Sequence, residues 1–214
     1  IPDSIPIKRC LLTANMETVI NAMWDTLPSC GDKILIIGSG IVGLLMAYIL
    51  RTIPGVEILL IDQDNKKKKI ANLFNITFKE KIPKSYKANI IYECSGNSSV
   101  INSLSSHIME EALICILSWY GNNISKVNFG EEFLSKRAKI IFSQVSKVSH
   151  NRSKYWDNAA RKKLAISLLN DDKLDSLIEK NMINFRDLPK FFSNVLKHKN
   201  FYCKVVNYGV KINV

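Results

Sequence analysis

The sequence Lys33-Ile34-Leu35-Ile36-Ile37-Gly38-Ser39-Gly40-Ile41-Val42-Gly43 decides the fold of this chain. An apolar run of the kind that forms a buried strand stops at a glycine-rich corner, and an apolar segment with the length of a helix follows directly. In such a corner Gly38 allows the sharp turn, Gly40 lets a phosphate approach the backbone, and Gly43 lets the helix pack close to the strand. Unpaired N–H groups at the start of the helix favour negative charge. The stretch therefore predicts a strand, a turn and a helix that bind the pyrophosphate of a nucleotide cofactor through Gly38, Ser39, Gly40, Ile41, Val42 and Gly43.

A carboxylate at the end of the next apolar run strengthens this prediction. Asp62 follows a predicted strand over residues 57–61 and lies nineteen residues after Gly43. Chains that bind dinucleotides place an acidic residue about 20 residues past the last glycine, where it bonds the hydroxyls of the adenosine ribose. Such a carboxylate repels the additional phosphate of NADP, so the sequence favours NAD. The alternative role of Asp62 is to cap a helix predicted over residues 65–75.

A run of four lysines, Lys66 to Lys69, opens that helix. One of them, Lys67, is predicted to lie over the adenosine ribose. Two alternatives remain open. The run is a solvated helix face, or Lys67 neutralises a 2′-phosphate, in which case NADP also becomes a candidate cofactor.

The composition is that of an ordinary globular protein except for its charge. The 214 residues are 47% hydrophobic and 23% charged, and the formal net charge is +11. Because the lysines are dispersed apart from the run at 66–69, we attribute the charge to solvated faces, and neither a nucleic-acid partner nor a membrane is expected. The five cysteines form no C-x-x-C pair, no signal peptide is visible, and no apolar run is long enough to span a membrane. These features favour a cytoplasmic protein.

Further apolar runs alternate with helical segments along the chain. Strands are predicted over residues 33–37, 57–61, 88–94, 112–117, 139–142 and 201–208, and residues 78–87 are predicted to be a polar connection. Runs without polar alternation are typical of strands that are buried on both faces, as in a parallel sheet. The predicted fold is α/β, a doubly wound parallel sheet of about six strands. Residues 1–30 are a linker and lead-in helix, residues 31–170 the nucleotide-binding domain, and residues 171–214 a C-terminal segment.

Several polar and aromatic residues follow two of these strands. Ser95 and Gly96 come after the third long strand, and Ser118, Trp119 and Tyr120 come after the next one. Ligands of parallel sheets bind beyond the carboxyl ends of the strands, so we expect these residues to share a rim with the glycine corner. Gly96 would let the nicotinamide half of a dinucleotide approach the backbone. Trp119 and Tyr120 would line a substrate pocket, unless their rings only pack the rim.

Two other classes of function remain open. A methyltransferase also uses a glycine-rich corner and an acid after the second strand, but its corner typically has an acidic residue before the first glycine and G-x-G-x-G spacing. Here Ile36 and Ile37 precede Gly38. A basic nucleic-acid-binding domain would need a recognition motif or aromatic residues among the lysines, and the sequence has neither.

Metal and catalytic motifs are scarce. The histidines His107, His150 and His198 are far apart, and none pairs with a cysteine or a glutamate at ligand spacing. No Tyr-x-x-x-Lys pair and no G-x-S-x-G corner is present. The sequence therefore names no catalytic residue and predicts no metal site.

Four passages together resemble the cofactor-binding half of the medium-chain dehydrogenase/reductase superfamily, the alcohol dehydrogenase-like proteins. They are residues 11–24, residues 32–45 with the sequence GSGIVG, Glu93-Cys94-Ser95-Gly96, and residues 185–206 from Phe185-Arg186-Asp187-Leu188-Pro189 to Cys203-Lys204-Val205-Val206. The resemblance implies a Rossmann fold and NAD(P)-dependent hydride transfer between the cofactor and an alcohol or carbonyl substrate. Residues 119–148 are similar to the subgroup that includes bacteriochlorophyllide dehydrogenase.

The resemblance also implies parts that this sequence does not contain. Members of the superfamily carry a GroES-like catalytic domain before the Rossmann domain, and residues 171–214 would return to it. We therefore expect the chain to be a fragment whose catalytic acid or base lies in the missing domain, and a homodimer is a further expectation. Zinc-dependent members have a Cys or Glu ligand shortly before the first Rossmann strand. The equivalent position falls near Ala14, which cannot bind zinc, and Glu17 lies one helical turn away. Either zinc is not used or the site differs, and zinc is not expected.

Overall fold

A parallel sheet forms the centre of the structure, a computed structural model that describes residues 1–122, 124–130, 132–195 and 202–209. Its six strands are β1 (Lys33–Ile37), β2 (Glu57–Ile61), β3 (Thr77–Lys79), β4 (Ala88–Glu93), β5 (Ile108–Ile116) and β6 (Lys139–Phe142). They follow the spatial order β3–β2–β1–β4–β5–β6, and all neighbours are parallel. The chain runs outward from β1 to one edge of the sheet and then outward to the other edge. This confirms the predicted doubly wound α/β fold.

Helices flank the sheet. In the described part of the chain they are α1 (Thr13–Thr26), α2 (Ile41–Leu50), α3 (Lys68–Leu73), α4 (Val100–Leu104), α5 (Glu132–Ser135), α6 (Asn158–Ser167) and α7 (Leu188–Val195). α6 begins after Asp157, whose side chain accepts a hydrogen bond of 2.7 Å from the N–H of Ala160 and so caps the helix. None of the described helices has the length and apolar character that crossing a membrane requires.

The apolar strands supply two hydrophobic cores, one on each face of the sheet. In β1, Ile34 and Ile36 belong to one core, whereas Leu35 and Ile37 belong to the other. Successive residues of a strand point to opposite faces, so an uninterrupted apolar run is buried on both sides. Residues from α1, α2 and α6 complete the first core, and residues from α4 and α5 complete the second.

The predicted number of strands is confirmed, but one predicted member of the sheet is wrong. The sheet includes β3, which lies mostly inside the predicted connection over residues 78–87. Only Phe78 of its three residues is buried, so the strand is too short to show a pattern in the sequence.

The sixth predicted strand, over residues 201–208, does not join the sheet. Phe201 lies outside the described residues. Val206–Asn207 (β8) pairs in parallel with Ile183–Asn184 (β7) to form a separate two-stranded sheet. The apolar composition of the segment predicted a strand, but composition alone does not specify the strand with which it pairs.

Candidate functional site

The glycine corner connects β1 to α2, and close backbone packing requires two of its three glycines. Gly38 has a φ of +96°, and a Cβ added there would lie 2.6 Å from the carbonyl oxygen of Cys94 at the end of β4. A Cβ added at Gly43 would lie 1.9 Å from the carbonyl oxygen of Gly38. Both positions therefore exclude any side chain. Gly38 thus packs against the neighbouring strand end, in addition to making the predicted turn.

Gly40 differs from the other two glycines because it faces open space. It precedes the first residue of α2, and no described atom would lie within 4 Å of a Cβ placed there. The first N–H groups of a helix have no partner inside the helix and carry partial positive charge. Gly40 therefore leaves the start of a ten-residue helix accessible to an anion.

Ser39 links the corner to Asp62. Its N–H donates a hydrogen bond of 2.8 Å to Oδ2 of Asp62. The Ser39 side chain is fully buried, and its Oγ has no hydrogen-bond partner among the described residues. Ile41 and Val42, the other two residues of the predicted contact set, are half-buried and pack against the first core. Of these three residues, Ser39 therefore presents no side chain to solvent.

Asp62 lies at the end of β2, beside the corner, and makes three hydrogen bonds. Oδ2 accepts from Ser39 and also from the Lys67 ammonium at 2.9 Å, and Oδ1 accepts from the N–H of Asp64 at 3.0 Å. The helical turn that follows is capped by Asp64, whose Oδ1 accepts from the N–H of Lys66. Asp64 therefore caps this turn, the role that was the alternative for Asp62.

The surroundings of Asp62 keep it ionised. Burial raises the pKa of Asp62, but the hydrogen bond from Lys67, the N–H groups of Asp64 and Ser39, and the positive charge of Lys67 outweigh it. The net effect is a pKa below the ordinary value for an aspartate. At neutral pH the site therefore presents a negative carboxylate with a lysine held against it.

A second group of predicted residues meets at the ends of β4 and β5. The N–H of Gly96 donates a hydrogen bond of 2.8 Å to Ser118 Oγ, and the Tyr120 hydroxyl reaches Glu93 Oε2 at 2.6 Å. Ser95 donates to the same Glu93 carboxylate through its N–H at 2.7 Å and through its hydroxyl. Trp119 does not join this group, because its side chain is 86% exposed.

Glu93 is one residue near the site that the sequence prediction did not include. It is the last residue of β4 and is fully buried. A buried carboxylate is costly unless hydrogen bonds satisfy it, and here Ser95 and Tyr120 provide them. The available signal was an acidic residue at the end of a mostly apolar strand, directly before the predicted rim.

A cleft of about 740 Å³ follows the carboxyl ends of β2, β1 and β4. Five predicted residues line it: Gly38, Gly40, Asp62, Lys67 and Ser95. It is also lined by residues that the sequence did not indicate, among them Gln63, Glu80, Lys81, Cys94, Asn97 and His107. The other predicted residues are not among those that line it. The corner, the carboxylate and the end of β4 therefore belong to one cleft.

Metal-ligating side chains do not cluster in the described part of the chain. Glu17 lies in α1, where its carboxylate is 3.4 Å from Nε of the buried Arg161. His107 Nδ1 lies 2.9 Å from the carbonyl oxygen of Tyr86, and His198 is outside the described residues. Glu17, the residue nearest to the expected zinc-ligand position, is thus already paired with a cation.

The sequence matches no protein-family model and no curated protein. Solved structures do match. A galactitol-1-phosphate dehydrogenase from Escherichia coli is 18% identical, with a TM-score of 0.76 over 96% of this chain and 61% of that one. A short chain alcohol dehydrogenase from E. coli in complex with its cofactor NADH is 16% identical, with a TM-score of 0.74 over 96% of this chain and 60% of that one. S. aureus TarJ in complex with NADPH is 21% identical, with a TM-score of 0.74 over 97% and 66%.

These similarities establish a shared fold. Nearly the whole of this chain superposes on the dehydrogenases, whereas it spans between 60% and 66% of their length.

Proposed function

We propose that this chain is the cofactor-binding part of an NAD(P)-dependent, alcohol dehydrogenase-like oxidoreductase of the medium-chain superfamily. One observation supports this most directly. The open start of α2 at Gly40 and the ionised Asp62 lie in the same cleft, and the Ser39 N–H joins the corner to the carboxylate. Solved structures with the same fold hold NADH and NADPH.

The residues present fit a dinucleotide. Asp62 and Lys67 provide an acceptor and a donor for the adenosine ribose, and the open backbone after Gly40 suits the pyrophosphate. The spatial order of the strands places the ends of β4 and β5 on the other side of β1 from Asp62. We therefore propose that Ser95, Gly96 and the loop from Ser118 to Tyr120 face the nicotinamide half.

NAD is the proposed cofactor, and NADP is the alternative. The Asp62 carboxylate would repel a 2′-phosphate. Lys67, the cation that could offset this, is paired with Asp62 at 2.9 Å. The nicotinamide, when bound, supplies the hydride chemistry, and this chain binds and orients it.

The substrate and the catalytic group are proposed by analogy with the superfamily. An alcohol or carbonyl substrate would bind beside the nicotinamide, under a GroES-like domain that supplies the acid or base. Residues 31–170 would be the Rossmann domain, and residues 171–214 would contact the GroES-like domain. Ala14 has no ligand atom in its side chain and Glu17 is paired with Arg161, so we propose a zinc-independent enzyme.

Three finer assignments complete the proposal. Residues 119–148 favour the subgroup that includes bacteriochlorophyllide dehydrogenase. The five cysteines are free thiols, which suits the cytoplasm. The edge strand β6 ends at Phe142, a residue that is 76% exposed, which favours a homodimer.

Calorimetric titration with NADH, NADPH and S-adenosylmethionine tests the proposal. We expect NADH to bind, and Asp62→Ala to weaken it about tenfold or more, because a hydrogen bond to a charged group contributes roughly 1.5–3 kcal/mol. Asp3→Ala is the matched control, since that aspartate is exposed and is not among the residues that line the cleft, so it should leave affinity unchanged.

Two results would contradict the proposal. Binding of S-adenosylmethionine without binding of NADH would favour a methyltransferase. Salt-dependent binding to an arbitrary duplex, with no dinucleotide bound, would favour a nucleic-acid-binding domain.

A further inference from the structure

Glu93 connects two loops that are distant in sequence. Its Oε1 accepts from the N–H and hydroxyl of Ser95, directly after β4, and its Oε2 accepts from the hydroxyl of Tyr120, which is 27 residues further along the chain. Ser118 adds a parallel connection. Its Oγ accepts from the N–H of Gly96 at 2.8 Å and lies 3.4 Å from the backbone carbonyl oxygen of Glu93.

Hydrogen bonds from Ser95 and Tyr120 stabilise this carboxylate. Glu93 is fully buried, and none of the ion pairs in the described part of the chain includes it. Ile91, the preceding residue on the same face of the strand, is apolar and fully buried, so strand packing alone does not require an acid here. A buried carboxylate that accepts three hydrogen bonds instead fixes the positions of the groups that donate them.

The arrangement reaches the glycine corner through the backbone. The Cys94 carbonyl oxygen and the Ser95 Cα would lie 2.6 and 2.7 Å from a Cβ on Gly38. The N–H of Cys94 also donates a hydrogen bond of 2.8 Å to the carbonyl oxygen of Ile37. A shift of the Ser95 loop would therefore change the shape of the cleft where β1 and β4 end.

Tyr120 is held in its donating form. Burial raises the pKa of the Tyr120 hydroxyl, and the hydrogen bond to Glu93 and the charge of Glu93 raise it further. The phenol therefore stays protonated at neutral and mildly alkaline pH and continues to donate to Glu93.

We propose that Glu93 is a positioning residue that holds the loops after β4 and β5 in the one arrangement that accepts the nicotinamide half of the cofactor. This inference rests on the proposed function. Glu93 acts through Ser95 and Tyr120, and Asp62 serves the adenosine half. In this proposal each of the two carboxylates therefore serves one half of the cofactor.

Paired titrations with NADH and with ADP-ribose, which lacks only the nicotinamide, test the division. For Glu93→Gln and Tyr120→Phe we expect NADH affinity to fall about tenfold and ADP-ribose affinity to change less than twofold. For Asp62→Ala both ligands should weaken by the same factor. The fluorescence of bound NADH reports the nicotinamide environment directly and should change in Glu93→Gln.

Glu110→Gln is the matched control, because that glutamate is exposed near the other end of β5. It should change neither affinity nor fluorescence. Equal losses of NADH and ADP-ribose affinity in Glu93→Gln and Tyr120→Phe, with NADH fluorescence unchanged, would overturn the positioning role and leave the proposed function standing. A wild-type chain that binds neither ligand would overturn both. Tyr120→Phe keeps the test usable if Glu93→Gln does not fold.

Discussion

The two sides of the cleft are built in different ways. On the side of β1 and β2, backbone geometry forms the site, with Gly38 and Gly43 packed against carbonyl oxygens and Asp62 placed by a local strand end. On the side of β4 and β5, side-chain hydrogen bonds hold the loops, because Glu93 accepts from Ser95, two residues further along the chain, and from Tyr120, 27 residues further along. The first side is therefore sensitive to atoms added at Gly38 and Gly43, and the second side to the loss of a hydrogen bond to Glu93.

The largest effect should come from adding a methyl group at a glycine on the β1 and β2 side of the cleft. Gly43→Ala places a Cβ 1.9 Å from the carbonyl oxygen of Gly38, so the helix must move away from the strand. We expect a loss of about 3 kcal/mol or more in the free energy of unfolding, measured by urea denaturation. Gly40→Ala is the comparison, because its Cβ meets open space and should cost about 1 kcal/mol or less. If the two variants were equally stable, packing would not be what requires glycine at Gly43.

The next largest effect should come from removing a hydrogen bond on the β4 and β5 side of the cleft. Tyr120→Phe removes one of the donors to the buried Glu93 without changing the ring. We expect the free energy of unfolding to fall by about 1–3 kcal/mol, since a buried charged acceptor loses a partner. Tyr155→Phe, at an exposed tyrosine, should change it by less than about 0.5 kcal/mol. A Tyr120→Phe variant as stable as the wild type would remove the contrast between the two sides.

Acid should weaken the Asp62 contacts in a defined direction. The folded-state pKa of Asp62 lies below its ordinary value, so these contacts stabilise the fold fully at pH values above the ordinary pKa of an aspartate. This contribution to the free energy of unfolding is lost as the pH falls through the lowered pKa. The stability difference between wild type and Asp62→Asn should therefore shrink between about pH 5 and pH 2. Thermal unfolding across this range measures it. A difference that grows as the pH falls would contradict the sign.

The smallest effect should come from Lys67. Its side chain is 24% exposed, and partly exposed ion pairs contribute about 1 kcal/mol or less. Lys67→Met should leave the free energy of unfolding within about 1 kcal/mol of the wild type and weaken NADH binding measurably. Lys66→Met, at the exposed neighbouring residue, should leave both unchanged. Equal effects of the two substitutions would place the lysine run on a solvated face with no specific role.

Local patterns explain the predictions that the structure confirms. The run of residues 33–37 had no polar alternation, and β1 is buried on both faces except at its first residue. β3 is not predicted from the sequence because a three-residue edge strand with one buried side chain is too short to show an alternation of apolar and polar residues. The rim residues were placed near one another because parallel strands end at one edge. Their hydrogen bonds to Glu93 could not be predicted, since no local pattern indicates which side chain a buried carboxylate will bind.

The sequence by itself determined the sheet type, the sharp corner at Gly38 and the spacing of Asp62, because each depends on residues close together along the chain. Only the tertiary structure decided that Gly38 abuts Cys94, that Lys67 pairs with Asp62, and that the buried Glu93 accepts hydrogen bonds from Ser95 and Tyr120. The physical reason is that burial and hydrogen-bond partners depend on which strand ends become neighbours, and that is settled when the sheet assembles around β1.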